Sequence, residues 1–235
     1  MEFKAQAKKV LPLIMLVDTS GSMYGCMDEL NTAARDMIEA LRNQESFRAE
    51  IHISFITYGK DGARLHTPLT PISSIEFEDF ESGGMTPLGE ALKIAKEMIE
   101  NKEIIPSNSY RPTVIMLSDG LPNDNWEEPL RTFIEEGRSK KCERMSLGIG
   151  QGYVYEILKN FSSNEKVFEA KDASNIVDFF KFVTMSIKEK SISSNPNKNT
   201  VDSSKFMSEV GEKIVKDKNE EDILSSSDKN ELFNF

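Results

Sequence analysis

The feature that most constrains this chain is the run Leu11-Pro-Leu-Ile-Met-Leu-Val17, which is continuously apolar and stops at Asp18. It is far shorter than the ~20 residues a membrane helix needs. An apolar run without alternation is the signature of a strand buried on both faces, and such strands belong to parallel sheets covered by helices on both sides. Thr113-Val-Ile-Met-Leu117 has the same character. Glu50 to Tyr58 alternates instead and reads as a strand with one less buried face, while Ala63 to Ile72 reads as its hairpin partner or an edge strand. Pro68 and Pro71 favour the edge position, where a missing N–H costs no ladder bond. Met145 to Ile149 and Val167 to Ala170 supply two shorter strands.

Between the strands lie helical stripes. Met27, Leu30, Ala34, Met37, Ile38 and Leu41 recur at helical spacing, as do Leu88, Leu92, Ala95 and Ile99, and later Ile176, Phe179, Phe180, Val183 and Ile187. Less regular helices are expected about Trp126 to Lys140 and Tyr153 to Asn160. The alternation predicts an α/β fold: a doubly wound, mostly parallel open sheet with helices on both faces and one antiparallel edge strand. Such sheets bind ligands beyond the C-terminal ends of their strands. The folded domain is expected over 1–190. From 191 to 235 the composition turns polar and Pro-broken, which predicts a disordered tail with a short amphipathic helix on Met207, Val210 and Ile214.

Charge and cysteine content narrow the function. With 39 acidic against 29 basic side chains the formal charge is −10, the opposite of what gripping nucleic-acid phosphates requires. Cys26 and Cys142 are the only cysteines, which excludes a four-thiolate zinc site or a disulfide scaffold and points to a reducing compartment. Lys4, Lys8 and Lys9 before the apolar run imitate a secretory signal, but Pro12 interrupts the run and no small-residue cleavage site follows Asp18. The expectation is a soluble, cytoplasmic protein without membrane or nucleic-acid partners.

The chemistry sits where the first strand ends. Asp18-Thr-Ser20-Gly-Ser22 sets a carboxylate and two hydroxyls at alternate positions, and Gly21 and Gly25 are expected to let the loop curl. Thr86 follows Gly83-Gly84-Met85 and precedes Pro87, expected at the first position of a helix. Asp119 follows the second apolar strand in Leu117-Ser-Asp-Gly120. Asp18, Ser20, Ser22, Thr86 and Asp119 thus offer hard oxygens at one sheet edge, a set suited to Mg²⁺, with Mn²⁺ or Ca²⁺ as alternatives, and poorly suited to zinc. A ring made largely of neutral hydroxyls leaves metal charge uncompensated. That predicts a protein partner contributing an Asp or Glu to the ion.

These residues resemble the metal-ion-dependent adhesion site of a von Willebrand factor A domain: Asp-x-Ser-x-Ser, a separate Thr after paired glycines, and a later Ser-Asp-Gly. The resemblance runs from about Pro12 to Ile187. Within the family, the first-strand run and Thr86-Pro-Leu-Gly-Glu-Ala-Leu92 are most similar to the tellurite-resistance TerY-like branch. The resemblance implies an intracellular adaptor in a stress or tellurite-resistance system, acting beside kinase and phosphatase proteins, with no catalytic residues of its own. The alternative is a metal-dependent phosphatase or other hydrolase built on Asp18. It lacks the cationic clamps or second metal that phosphoryl transfer uses.

Other residues have ordinary readings. Gly148-Ile-Gly150-Gln-Gly152 departs from a dinucleotide fingerprint in spacing and in its place in the chain, so a strand-to-helix turn is expected. Cys26 reads as a small packing residue, and His52 and His66 as structural or exposed. Asp124, Glu127 and Glu128 read either as a rim around the metal or as solvated charges.

Overall fold

The computed structural model describes residues 8–43 and 48–197. Within them the strands are β1 (Val10–Thr19), β2 (Glu50–Gly59), β3 (Gly62–Pro71), β4 (Thr113–Ser118), β5 (Glu143–Ile149) and β6 (Val167–Ala170). The α-helices are α1 (Met27–Arg42), α2 (Leu88–Glu100), α3 (Glu127–Glu135), α4 (Tyr155–Phe161) and α5 (Ala173–Ile192). The strands form one sheet in the order β3-β2-β1-β4-β5-β6, parallel except for the β2–β3 hairpin. This is the doubly wound sheet the apolar runs predict, with β3 as the antiparallel edge.

The prolines sit where the ladders tolerate them. Pro12 pairs in register with His52 of β2, but the ladder to β4 begins only at Leu13, so the missing N–H falls where β1 has a single neighbour. Pro68 and Pro71 lie on β3, which has β2 as its one neighbour. Alternation along β1 then divides the core. Ile14 and Leu16 pack with Leu92, Ala95 and Ile99 of α2, Phe133 of α3 and Phe161 of α4. Leu13, Met15 and Val17 point to the opposite face, where α1 and α5 pack on each other. All five β1 side chains are fully buried, each worth about 1.5–3 kcal/mol.

The expected boundary at residue 190 falls inside α5, which is capped by Asp172, whose carboxylate accepts the Asn175 N–H, and runs to Ile192. The Ser191 carbonyl accepts the N–H groups of Arg48 and Ala49, and Asn197 Oδ1 accepts the Arg111 N–H at 2.8 Å. The expected tail helix on Met207, Val210 and Ile214 lies outside the described residues. Among those described, no helix is long and apolar enough to cross a membrane.

Lys190 shows why the last turn of α5 belongs to the domain. It is 3% exposed, donates to Thr113 Oγ1 at 3.0 Å and pairs with Glu143 at the start of β5. Burial holds its ammonium below the usual lysine range, against the pull of Glu143. Replacing Glu143 with Gln removes the facing anion, and the expected loss is about 3 kcal/mol in denaturant unfolding. Adding Lys190→Met to that variant should recover much of the loss. A single-variant loss below about 0.5 kcal/mol would show instead that the ammonium behaves as a solvated surface charge.

Candidate metal centre

β1 outlasts its apolar run, so Asp18 and Thr19 are strand residues rather than loop residues, and Asp18 is fully buried. Its Oδ1 accepts the Ser20 N–H at 2.9 Å, and its Oδ2 accepts the Ser118 hydroxyl at 2.9 Å. The Ser20 and Ser22 hydroxyls lie 3.1 Å apart, and Ser22 donates to Asp119 Oδ1 at 2.9 Å. A continuous line of oxygens therefore links the end of β1 to the end of β4. These strands are neighbours across which the sheet order reverses, the place where open α/β sheets carry their ligand sites.

The second loop is locked to the first through main chain. Gly83 N–H donates to the Thr19 carbonyl at 2.8 Å, and Gly21 N–H donates to the Gly84 carbonyl at 3.2 Å. The loop does curl, as the 3-10 turn Gly21–Cys26, but neither Gly21 nor Gly25 takes the positive φ that glycine alone adopts readily. Gly84 does: its φ is +71°, and a Cβ there would come within 2.8 Å of Lys60 Cα. Pro87 stands one residue earlier than expected, as the cap before α2. Thr86 between them is buried and held at both main-chain groups, its N–H donating to Asn123 Oδ1 at 2.8 Å and its carbonyl accepting the Asn123 N–H at 3.1 Å.

The third loop is fixed by Asp124, whose two carboxylate oxygens accept the Gly89 and Glu90 N–H groups at 3.0 Å each. That corrects both sequence readings of Asp124. It is neither rim nor idle charge but the side-chain cap of α2, supplied from another loop. Gly152, after β5, lies so close that a Cβ would meet the Asp119 carbonyl at 2.7 Å. The glycines of residues 148–152 thus serve a turn that presses on the site. Tyr58, in register with Asp18, is fully buried behind it and donates to the Leu117 carbonyl at 2.5 Å.

The electrostatics are unbalanced. Burial pushes the Asp18 carboxyl up to about 6, opposed by the Ser20 and Ser118 hydrogen bonds and reinforced by nearby Asp119. Burial raises Asp119 as well, with the Ser22 hydroxyl pulling the other way. No Lys, Arg or His forms an ion pair with either acid among the described residues. Nor does any group of three or more His, Cys, Asp or Glu side chains converge there. Two carboxylates, lacking cationic partners and ringed by hydroxyls, fit a hard divalent cation, because the ion supplies the missing countercharge and takes oxygen donors.

The remaining cysteine and histidine candidates add no reactive group to the site. Burial, with Asp119, Glu29 and Asp18 adding to it, pushes the Cys26 thiol up to about 11, so it is no activated nucleophile. His66 packs edge-on against Phe80 with ring centroids 4.9 Å apart. His52 lies at the far end of β2, with Nε2 3.4 Å from Glu50 Oε2 and no hydrogen bond.

The sheet order and this edge define a class of α/β domain with a carboxylate-and-hydroxyl pocket at the reversal point. The chain belongs to the von Willebrand factor type A domain family, whose description matches residues 13–182. Among solved structures it is similar to proximal thread matrix protein 1 from the mussel byssus, with a zinc-occupied MIDAS motif, at 18% identity and a TM-score of 0.58 over 76% of this chain and 48% of that one. It is also similar to the pilus adhesin SpaC from Lactobacillus rhamnosus GG, at 14% identity and a TM-score of 0.62 over 79% of this chain and 31% of that one. At these identities the likeness is one of fold. The uncharacterized protein Rv2850c of Mycobacterium tuberculosis is 31% identical over 113 residues, which span 46% of this chain but only 17% of the relative.

Proposed function

We propose that this domain is a metal-dependent protein-interaction module, in which Asp18, Ser20, Ser22, Thr86 and Asp119 hold Mg²⁺ and an acidic side chain of the partner completes its coordination. The observation that carries the reading is the pair of partly desolvated carboxylates at an accessible sheet edge, joined by serine hydroxyls and matched to no cation of the protein among the described residues. Bound there, the ion supplies a positive centre for an incoming carboxylate. Asp18 is held by Ser20 and Ser118, and Ser22 orients Asp119, so the protein's own groups are fixed beforehand. The mussel protein with a zinc-occupied MIDAS supports divalent-metal binding by this family and calls for a zinc arm in any titration. The oxygen-only donor set favours Mg²⁺, with Mn²⁺ or Ca²⁺ able to substitute.

The partner's chemistry is further defined by the rim. Tyr24, Met85 and Leu121 come one from each site loop and are 82%, 62% and 67% exposed. Large apolar side chains so placed suit an acidic residue with apolar neighbours. The TerY-like resemblance of residues 86–92 directs the search to kinase and phosphatase proteins of a tellurite-resistance or stress-response system. A hydrolase reading has less behind it, since the cluster contributes no Lys, Arg or His to steady a developing anion.

Capture from native lysate with Mg²⁺, and with chelator, is the direct test. The expected partner is retained in Mg²⁺, released by chelator and not captured by Asp18→Asn. With the captured protein in hand, Met85→Ser with Leu121→Ser should weaken it at least about tenfold while leaving Mg²⁺ affinity unchanged. Full binding in chelator would overturn the bridge, and turnover of a phosphate ester by the purified protein would favour the hydrolase.

A further inference from the structure

At the opposite edge of the sheet, before β4 and β5, lies a cleft of about 700 Å³. Its lining includes Arg111, Arg138, Lys140, Lys141 and Arg144, and no Asp or Glu. This is unexpected in a chain of formal charge −10. None of the five forms a salt bridge among the described residues, although Arg131, Lys96 and Lys190 all do. The lining also holds Ser109, whose Oγ is buried without a hydrogen-bond partner.

Two of the cations are built into the frame. Arg138 donates to the Ile99 carbonyl at 2.6 Å and the Ile105 carbonyl at 2.8 Å, and Arg144 donates from Nε to the Phe161 carbonyl at 2.8 Å. Neutral carbonyls fix these guanidiniums in place without cancelling their charge. The cost shows at Arg144, which burial pulls below the usual arginine range. Burial pushes the Cys142 thiol up, and around it Arg144, Arg138 and Arg111, from three segments, pull the other way against a single carboxylate, Glu100, which is itself engaged by the Arg138 and Ser139 N–H groups. Arg111, Lys140 and Lys141 complete the wall as exposed residues.

We infer that this cleft binds a small molecule through a phosphate or pyrophosphate group. Several cations and a spare hydroxyl match a multiply charged oxyanion better than a single carboxylate, and arginine forks match phosphate oxygens. The cavity is of the size that encloses a nucleotide-sized ligand. A nucleic-acid strand is disfavoured by the overall negative charge. The site stands roughly 20 Å from the metal edge, the length of β4, and is independent of the metal reading.

The test is calorimetric titration of the full chain, in chelator and at constant ionic strength, with inorganic phosphate, pyrophosphate and a nucleoside diphosphate as separate probes. Saturable binding is expected for at least one. Among the probes, a nucleoside diphosphate tighter than pyrophosphate identifies a nucleotide site, and equal affinities identify a site for the phosphate groups alone. Arg111→Gln with Lys141→Gln should weaken that binding at least about tenfold with unchanged melting, because neither side chain serves the fold. Asp18→Asn should leave it intact. No saturable heat for any probe up to about 1 mM, or equal binding by the double variant, or loss in Asp18→Asn, overturns the inference.

Discussion

Asp18→Asn will abolish Mg²⁺ binding and yet, in chelator at pH 7, melt at a higher temperature than the wild type. Two opposite consequences follow from one buried carboxylate. As a donor to the proposed cation, Asp18 is irreplaceable by a neutral amide, and a loss of at least about 100-fold in metal affinity is expected. As a charge in the metal-free fold it is a liability, because burial raises it from 3.8 to about 6. A carboxyl whose folded pKa lies above its unfolded value binds its proton more tightly in the folded state. The metal-free wild type therefore loses stability as pH rises from about 4 to about 6, and stays penalised above that range. The uncharged amide of the variant carries no such penalty. The gain at pH 7 should be on the order of 2 kcal/mol and vanish below about pH 4. Adding Mg²⁺ should raise the wild-type melting temperature and leave the variant unmoved. The same protonation predicts that wild-type Mg²⁺ affinity falls as pH drops below about 6. A variant no more stable than wild type in chelator at pH 7 would show that Asp18 is already neutralised within the fold.

The second large effect is expected at Gly59, the last residue of β2. A Cβ there would lie 2.4 Å from both the carbonyl oxygen and the side-chain oxygen of Thr19, the residue after Asp18. Thr19 cannot retreat freely, because its carbonyl already accepts the Gly83 N–H that ties the second loop to the first. Gly59→Ala should cost about 3 kcal/mol or more, since main chain must move rather than a side chain. For a domain of this size that is roughly a 10 °C fall in melting temperature. Metal affinity should fall with it, even at temperatures where the variant is folded, because the displaced residue adjoins Asp18. Loss of stability with unchanged metal affinity would show that the strand end yields without carrying the site along.

The parts of this molecule that were legible in the sequence are those governed by a period or by position after a strand. The unbroken apolarity of Leu11–Val17 and Thr113–Leu117 marked β1 and β4 as strands of a buried sheet, where the structure sets them side by side, and the acids that follow each run marked the edge. What escaped was made by tertiary contact. Ser118 precedes Asp119 and looks like an ordinary strand terminus, yet its hydroxyl is a donor to Asp18. Asp124 read as rim or solvated charge and its neighbour Asn123 drew no reading, because their partners, the first turn of α2 and Thr86, lie far away in sequence. Tyr58 was one alternating strand residue among several until the β1–β2 register set it beside Asp18. The cationic cleft is invisible for the same reason, since Arg111 is brought to residues 138–144 only by the pairing of β4 with β5.

The loops at the metal edge are joined by main-chain bonds, Gly83 to Thr19 and Gly21 to Gly84, and by the Asn123 and Asp124 side chains. None of these connections uses Tyr24, Met85 or Leu121. The outward positions can therefore be randomised as a library while the clamp beneath them stays constant. Under the proposed function, a domain built this way can change its clientele by surface substitution alone, with the ion as a common grip and a few exposed side chains deciding which acidic residue is accepted.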